Sequence, residues 1–241
     1  MRHLLSALAL TGLLASGCAH DSLAVPANRH GLLVVSSARL YRTLAERTPR
    51  RVLVPVDRVE PSIRLDVRYA TDRNFMRRRL YPEPEAWLRC EAALALASVQ
   101  RHLASRGLGL VVFDAYRPYH VTEAMWEAIG DPDYVADPAK GSRHNRGAAV
   151  DVTLVDLATG EPLPMPTAYD DFTPAAWQDY ASLPEHVLQN RAILREAMRE
   201  GGFEPLASEW WHFDFRDWGE YELLDLPHAA LSPPPAPCVY E

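Results

Sequence analysis

Two short valine-rich runs set the tightest limit on how this chain can fold. Leu108 to Phe113 is continuously apolar apart from one glycine, and it is too short for an ordinary helix, which suits a strand buried on both faces. Val150 to Val155 is a second strand, with Asp151 and Thr153 on one face and Val150, Val152 and Leu154 on the other. Two further segments alternate in the same way. Ile63 to Tyr69 buries Ile63, Leu65 and Val67, and Trp210 to Arg216 sets His212 and Asp214 against Trp211, Phe213 and Phe215.

Helical spacing fills the intervals. Leu88, Ala92, Leu96, Val99 and Leu103 predict a helix from Glu85 to about Arg106, ended by Gly107. Val121, Ala124, Met125 and Ala128 share one face of a shorter helix that stops at Gly130. Asn190, Ile193, Leu194, Ala197 and Met198 face inward on a helix over about 185–200, closed by Gly201-Gly202. Residues 131–141 read as a loop, and the proline- and acid-rich stretch 156–184 as a long loop or lid. The expected fold is α+β: a single domain with a small antiparallel-rich sheet flanked by helices and a metal site at the sheet surface.

A chain of 241 residues with 48% hydrophobic content buries one good-sized core, so one domain is expected, here over 52–226. The net charge of -7 excludes a nucleic-acid partner, which needs a clustered basic surface; Arg77-Arg78-Arg79 reads as a solvated turn. Residues 1–18 are different in kind. Arg2 and His3 precede the apolar stretch Leu4 to Leu14, then Ala15-Ser16-Gly17-Cys18, the form of a signal peptide closing in a lipobox-like cysteine. The expectation is an exported, periplasmic protein attached to the outer membrane by a lipid on Cys18, its only membrane contact, with 19–51 as a tether. An ordinary cleaved signal is the alternative. Residues 227–241, with five prolines, read as a loose tail. Cys90 and Cys238 remain for an oxidising compartment, either paired or as separate thiols.

Metal-type ligands gather on three of these segments: His144 in Ser142-Arg143-His144, Asp151, and His212 in Glu209-Trp210-Trp211-His212. Two imidazoles and a carboxylate match a hydrolytic zinc site, which keeps its fourth position for water and so needs no serine or cysteine nucleophile. Taken alone, the spacing of His144 and Asp151 arises easily by chance. Glu209 and His212 lie on opposite faces of a continuous strand, so Glu209 is expected in the turn before it, beside the ion without ligating it. The alternative is a solvent-facing residue at the strand entry. Arg117, at the end of a buried strand, is placed to stabilise an oxyanion, to hold the loop through an ion pair with Asp114, or to do both. Neither His-Glu-x-x-His nor a nucleophile elbow occurs.

Four ordered motifs over about residues 52–220 carry a resemblance. Tyr69-Ala70-Thr71-Asp72 with Asn74-Phe75, Asp114-Ala115-Tyr116-Arg117-Pro118, Ser142-Arg143-His144-Asn145-Arg146-Gly147 and Glu209-Trp210-Trp211-His212-Phe213 resemble the zinc D,D-peptidases, VanX-type D-alanyl-D-alanine dipeptidases more than VanY-type carboxypeptidases. The resemblance implies one zinc ion on His144, Asp151 and His212, Glu209 as general base and then acid, and Arg117 as transition-state stabiliser. Asp114 and Ser142 are implied as supporting or substrate-binding positions. The implied partner is a small dipeptide or a cell-wall peptide. The rivals are a D,D-carboxypeptidase that trims D-alanine from wall peptides and a cell-wall-binding module without turnover. The lipoprotein-like leader departs from the dipeptidases of this type, which act on free dipeptide in the cytoplasm.

Overall fold

A computed structural model describes residues 24–231 and residue 238. In chain order it contains β1 (Val34–Val35), α1 (Ala38–Arg47), β2 (Leu53–Pro55), the single turn α2 (Val56–Val59), β3 (Arg64–Leu65), β4 (Trp87–Arg89) and α3 (Cys90–Ala104). There follow β5 (Leu108–Asp114), α4 (Tyr119–Ile129), β6 (Ala149–Asp156), α5 (Glu185–Glu200), β7 (Phe203–Pro205), β8 (His212–Phe215) and β9 (Leu223–Leu224). The main sheet has the order β3-β5-β6-β8-β7, antiparallel except for the β3–β5 pair, and the fold is α+β as expected.

The alternation of β6 and β8 decides what each face of this sheet does. Val150, Val152, Leu154, Phe213 and Phe215 join Leu96, Val99 and Leu103 of α3 and Leu194 and Met198 of α5 in one buried cluster. Removing such side chains from water contributes about 1.5–3 kcal/mol each. The opposite face carries Asp151, Thr153, His212 and Asp214, all buried. Burial of charged groups is tolerable only where each finds a partner.

Register aligns that polar face. Asp151 pairs across the sheet with Asp114 on β5 and with His212 on β8. A bulge between Val112 and Asp114 takes up one residue, Phe113, and so brings Asp114 opposite Asp151.

Several expectations are corrected. The helix expected from Glu85 begins only at Cys90, because Trp87–Arg89 pairs with Leu53–Pro55 as an antiparallel strand. Arg89 is fully buried there and donates to the carbonyls of Arg51, Arg146 and Glu222. The strand expected over Ile63 to Tyr69 reduces to Arg64–Leu65, since the chain turns at Arg68–Ala70. The tether expected over 19–51 is folded from Val34 onward: β1 pairs in parallel with β9, and Tyr41 of α1 is buried with its hydroxyl accepting from the Leu53 N–H. The loose tail is likewise docked at its start, with His228 and Leu231 buried. Cys90 and Cys238 form a disulfide. On α5 the buried polar residue is Arg191 rather than Asn190, and its guanidinium donates to the carbonyls of Trp177 and Tyr180, anchoring the long loop. The leader, with Cys18, lies outside the described residues.

Candidate active site

Strand β5 delivers Asp114 to the sheet's polar face, and the next residues turn away to start α4. Asp114 is wholly buried. Its Oδ1 accepts from the Tyr81 hydroxyl at 2.8 Å, while Oδ2 accepts from Arg117 Nε at 3.0 Å and Nη2 at 2.7 Å. Asp114 therefore stands behind Arg117 and supports it; the substrate-contacting alternative does not fit a carboxylate enclosed in this way. The ion pair also leaves both N–H groups of Nη1 uncommitted to Asp114, on a side chain that lines the pocket.

His144 is positioned by a short turn, His144–Arg146, closed by Gly147 at φ 65°. A Cβ at Gly147 would meet a Leu53 methyl at 2.3 Å, so only glycine fits. Asn145 ties this turn to α4. It accepts the Ser142 N–H through Oδ1 and donates through Nδ2 to the Arg117 carbonyl and to Thr122 Oγ1. Ser142 lines the pocket, with its Oγ accepting the His144 N–H at 3.2 Å.

The three expected metal ligands converge. His144 Nε2 lies 3.1 Å from His212 Nδ1 and 3.4 Å from Asp151 Oδ1, and His212 Nδ1 lies 3.0 Å from the same oxygen. Tetrahedral ligands held about 2.0–2.1 Å from a zinc ion stand roughly 3.3 Å from one another. Each ligand is aimed by a second contact. The far nitrogen of His144, Nδ1, faces the Ala115 carbonyl at 2.7 Å, an acceptor only, and must carry the proton. Likewise His212 Nε2 donates to Asp214 Oδ1 at 3.0 Å. Asp151 Oδ2 accepts from the Tyr169 hydroxyl at 2.8 Å. With those protons pointing outward, two imidazole lone pairs and a carboxylate oxygen are left facing one another. That arrangement calls for a cation, and the donor set suits zinc.

Glu209 sits in the connection between β7 and β8, ahead of the strand, and lines the pocket. Its Oε2 is 3.9 Å from His212 Nδ1, beside the ligand cluster and outside it. Burial raises its pKa from the ordinary glutamate value, against the pull of His212.

Two neighbouring residues of the long loop act at the site, and the second, Asp170, lines the pocket. Tyr169 holds Asp151, and Asp170 accepts from the Tyr69 hydroxyl at 3.0 Å through Oδ1. The other Asp170 oxygen is buried without a hydrogen-bond partner. Burial pushes this carboxyl up to about 8. The backbone at Asp170 is left-handed, φ 60°, a conformation that costs energy for a residue with a Cβ. No periodicity marks either residue. Asp214 did carry a signal, since it shares the strand face of His212. The cavity encloses about 230 Å³, below the roughly 300–1,000 Å³ of pockets for drug-sized ligands.

Comparison with known proteins agrees with this geometry. A family model described as D-ala-D-ala dipeptidase matches residues 50–230. The D-alanyl-D-alanine dipeptidase of Escherichia coli K12 is 35% identical over 172 residues, covering 71% of this chain and 89% of that protein. The D-alanyl-D-alanine dipeptidase of Enterococcus faecium is 29% identical over 185 residues, covering 67% and 90%. That of Streptomyces coelicolor is 32% identical over 185 residues, with the same coverage.

Proposed function

Because this chain belongs to the D-ala-D-ala dipeptidase family, we propose that its pocket hydrolyses free D-alanyl-D-alanine to D-alanine. It is a zinc-dependent D,D-peptidase whose single ion is assigned to His144, Asp151 and His212. The observation that carries the dipeptide reading is Asp170, a buried carboxyl group with one oxygen unpartnered on the wall of a small pocket. A free ammonium supplies both a donor and a balancing charge; an acylated nitrogen keeps one N–H but brings no charge.

Bound zinc supplies Lewis acidity, polarising the scissile carbonyl and making water a nucleophile at neutral pH. Glu209, with its raised pKa, accepts the proton of the attacking water and passes it to the leaving amine. Arg117 donates to the oxyanion from a guanidinium fixed by Asp114, so little reorganisation is needed as charge develops. Asp114 and Ser142 act as supports, the first for Arg117 and the second for His144.

The test compares D-Ala-D-Ala with N-acetyl-D-Ala-D-Ala, with and without chelator. Free dipeptide is expected to turn over, to stop on chelation and to recover with zinc. Glu209→Ala is expected to retain zinc and lose nearly all turnover, whereas Asp170→Asn raises KM for free dipeptide. Preferential cleavage of the acetylated peptide would replace this reading with a D,D-carboxypeptidase.

Export is part of the same proposal, with a lipid on Cys18, a periplasmic location and outer-membrane attachment. It is supported by the order of basic, apolar and small residues in 1–18 and by the Cys90–Cys238 disulfide, a bond that persists in oxidising compartments. Cell fractionation with a Cys18→Ser control tests it: the parent is expected with membranes and the variant released from them.

A further inference from the structure

A dipeptide zwitterion carries an ammonium on one side of its scissile amide and a carboxylate on the other. The Asp170 end accounts for the first charge only. Apart from the imidazoles, two cations line the pocket, Arg117 and Arg143. Arg117 commits Nε and Nη2 to Asp114. Arg143 is differently placed. Its Nε is buried but makes no hydrogen bond, and its nearest carboxylate oxygen, Asp214 Oδ2, stands 3.5 Å away. The guanidinium carbon lies over the Trp218 ring, 4.8 Å from its centroid, and 43% of the side chain is exposed.

Each charge stands beside a residue that holds a different metal ligand. Asp170 is bonded to Tyr69 and follows Tyr169, the residue that holds Asp151. Arg143 stands by Asp214, which holds the far nitrogen of His212. We propose that Arg143 anchors the substrate's C-terminal carboxylate, so that the pocket has an acidic end at Asp170 and a basic end at Arg143. The polarity fixes the direction in which a dipeptide lies across the ligand cluster. A guanidinium suits this task because its planar fork pairs with both oxygens of a carboxylate. The inference rests on the dipeptidase reading above.

The experiment measures kcat and KM for D-Ala-D-Ala and for D-alanyl-D-alaninamide, whose C-terminus is uncharged, using zinc-loaded parent, Arg143→Ala and Arg143→Gln. Zinc content is checked in each, and Gln keeps a polar stem if Ala folds poorly. Loss of a charge-assisted contact is expected to raise KM for the dipeptide about 10- to 100-fold. Cleavage of the amide should change little, so the parent's preference for the free acid largely disappears. If Arg143 serves only to neutralise Asp214, its loss lowers zinc affinity and slows both substrates alike, which overturns the proposal. An unchanged acid-to-amide ratio also overturns it. Parent protein that cleaves neither substrate when loaded with zinc would instead refute the dipeptidase reading, and the anchor with it.

Discussion

Asp214 touches no substrate in the scheme above, yet its removal is expected to be felt at the metal. Its Oδ1 accepts the Nε2 proton of His212 at 3.0 Å, which holds the ring so that Nδ1 faces Asp151 and His144. The carboxylate also makes the imidazole more basic and a better ligand. Partners of this kind typically contribute 10- to 100-fold to metal affinity, about 1.4–2.7 kcal/mol. Asp214→Ala should therefore weaken zinc binding by about that factor in a competitive chelator titration. Asp214→Asn keeps an acceptor without the charge and should lose less than about tenfold, because charge-assisted bonds are roughly twice as strong as neutral ones. Thermal unfolding of the metal-free proteins, followed by circular dichroism, checks that all three fold. An alanine variant that holds zinc as tightly as the parent refutes the reasoning, as does an asparagine variant as weak as alanine.

Tyr169→Phe removes the hydroxyl that holds Asp151 and is expected to weaken zinc about tenfold in the same titration. Reduction of Cys90–Cys238, which are 148 residues apart in sequence, should destabilise the protein by about 2–5 kcal/mol, read as a lower denaturant midpoint. Gly147→Ala forces a Cβ onto Leu53 at a positive φ, and a loss of more than about 1 kcal/mol with weaker zinc binding is expected. The hydrogen bond from His120 to Asp225 raises the histidine's pKa and lowers that of the aspartate, against its burial. The histidine's contribution to stability is thus complete below about pH 6.5 and is lost as pH rises through the raised value; the aspartate's is lost as pH falls through the lowered one. The Tm difference between parent and His120→Ala should accordingly be largest in mild acid and vanish in alkali.

What could be read from the linear chain is whatever depends on neighbours a few positions away. Period-two alternation put Asp151 and Thr153 on one face of β6, and His212 and Asp214 together on β8, because successive side chains of a strand point to opposite sides. Helical spacing located α4 and α5 with their glycine stops for the same local reason. The same rule misread Trp87–Arg89, where Leu88 fits a helical stripe but the backbone is claimed by pairing with Leu53–Pro55.

Tertiary structure decided everything that needs a distant partner. The bulge before Asp114 sets that residue opposite Asp151, and no local pattern reports a register between strands. Tyr169 reaches Asp151 and Asp170 lines the pocket from a loop without periodicity, which Arg191 anchors further along at the carbonyls of Trp177 and Tyr180. The pairing of Cys90 with Cys238 and the placement of Arg143 over Trp218 likewise join residues far apart in sequence. Local preferences choose which face a side chain occupies; long-range packing chooses what stands opposite it, and the chemistry of this site depends on both.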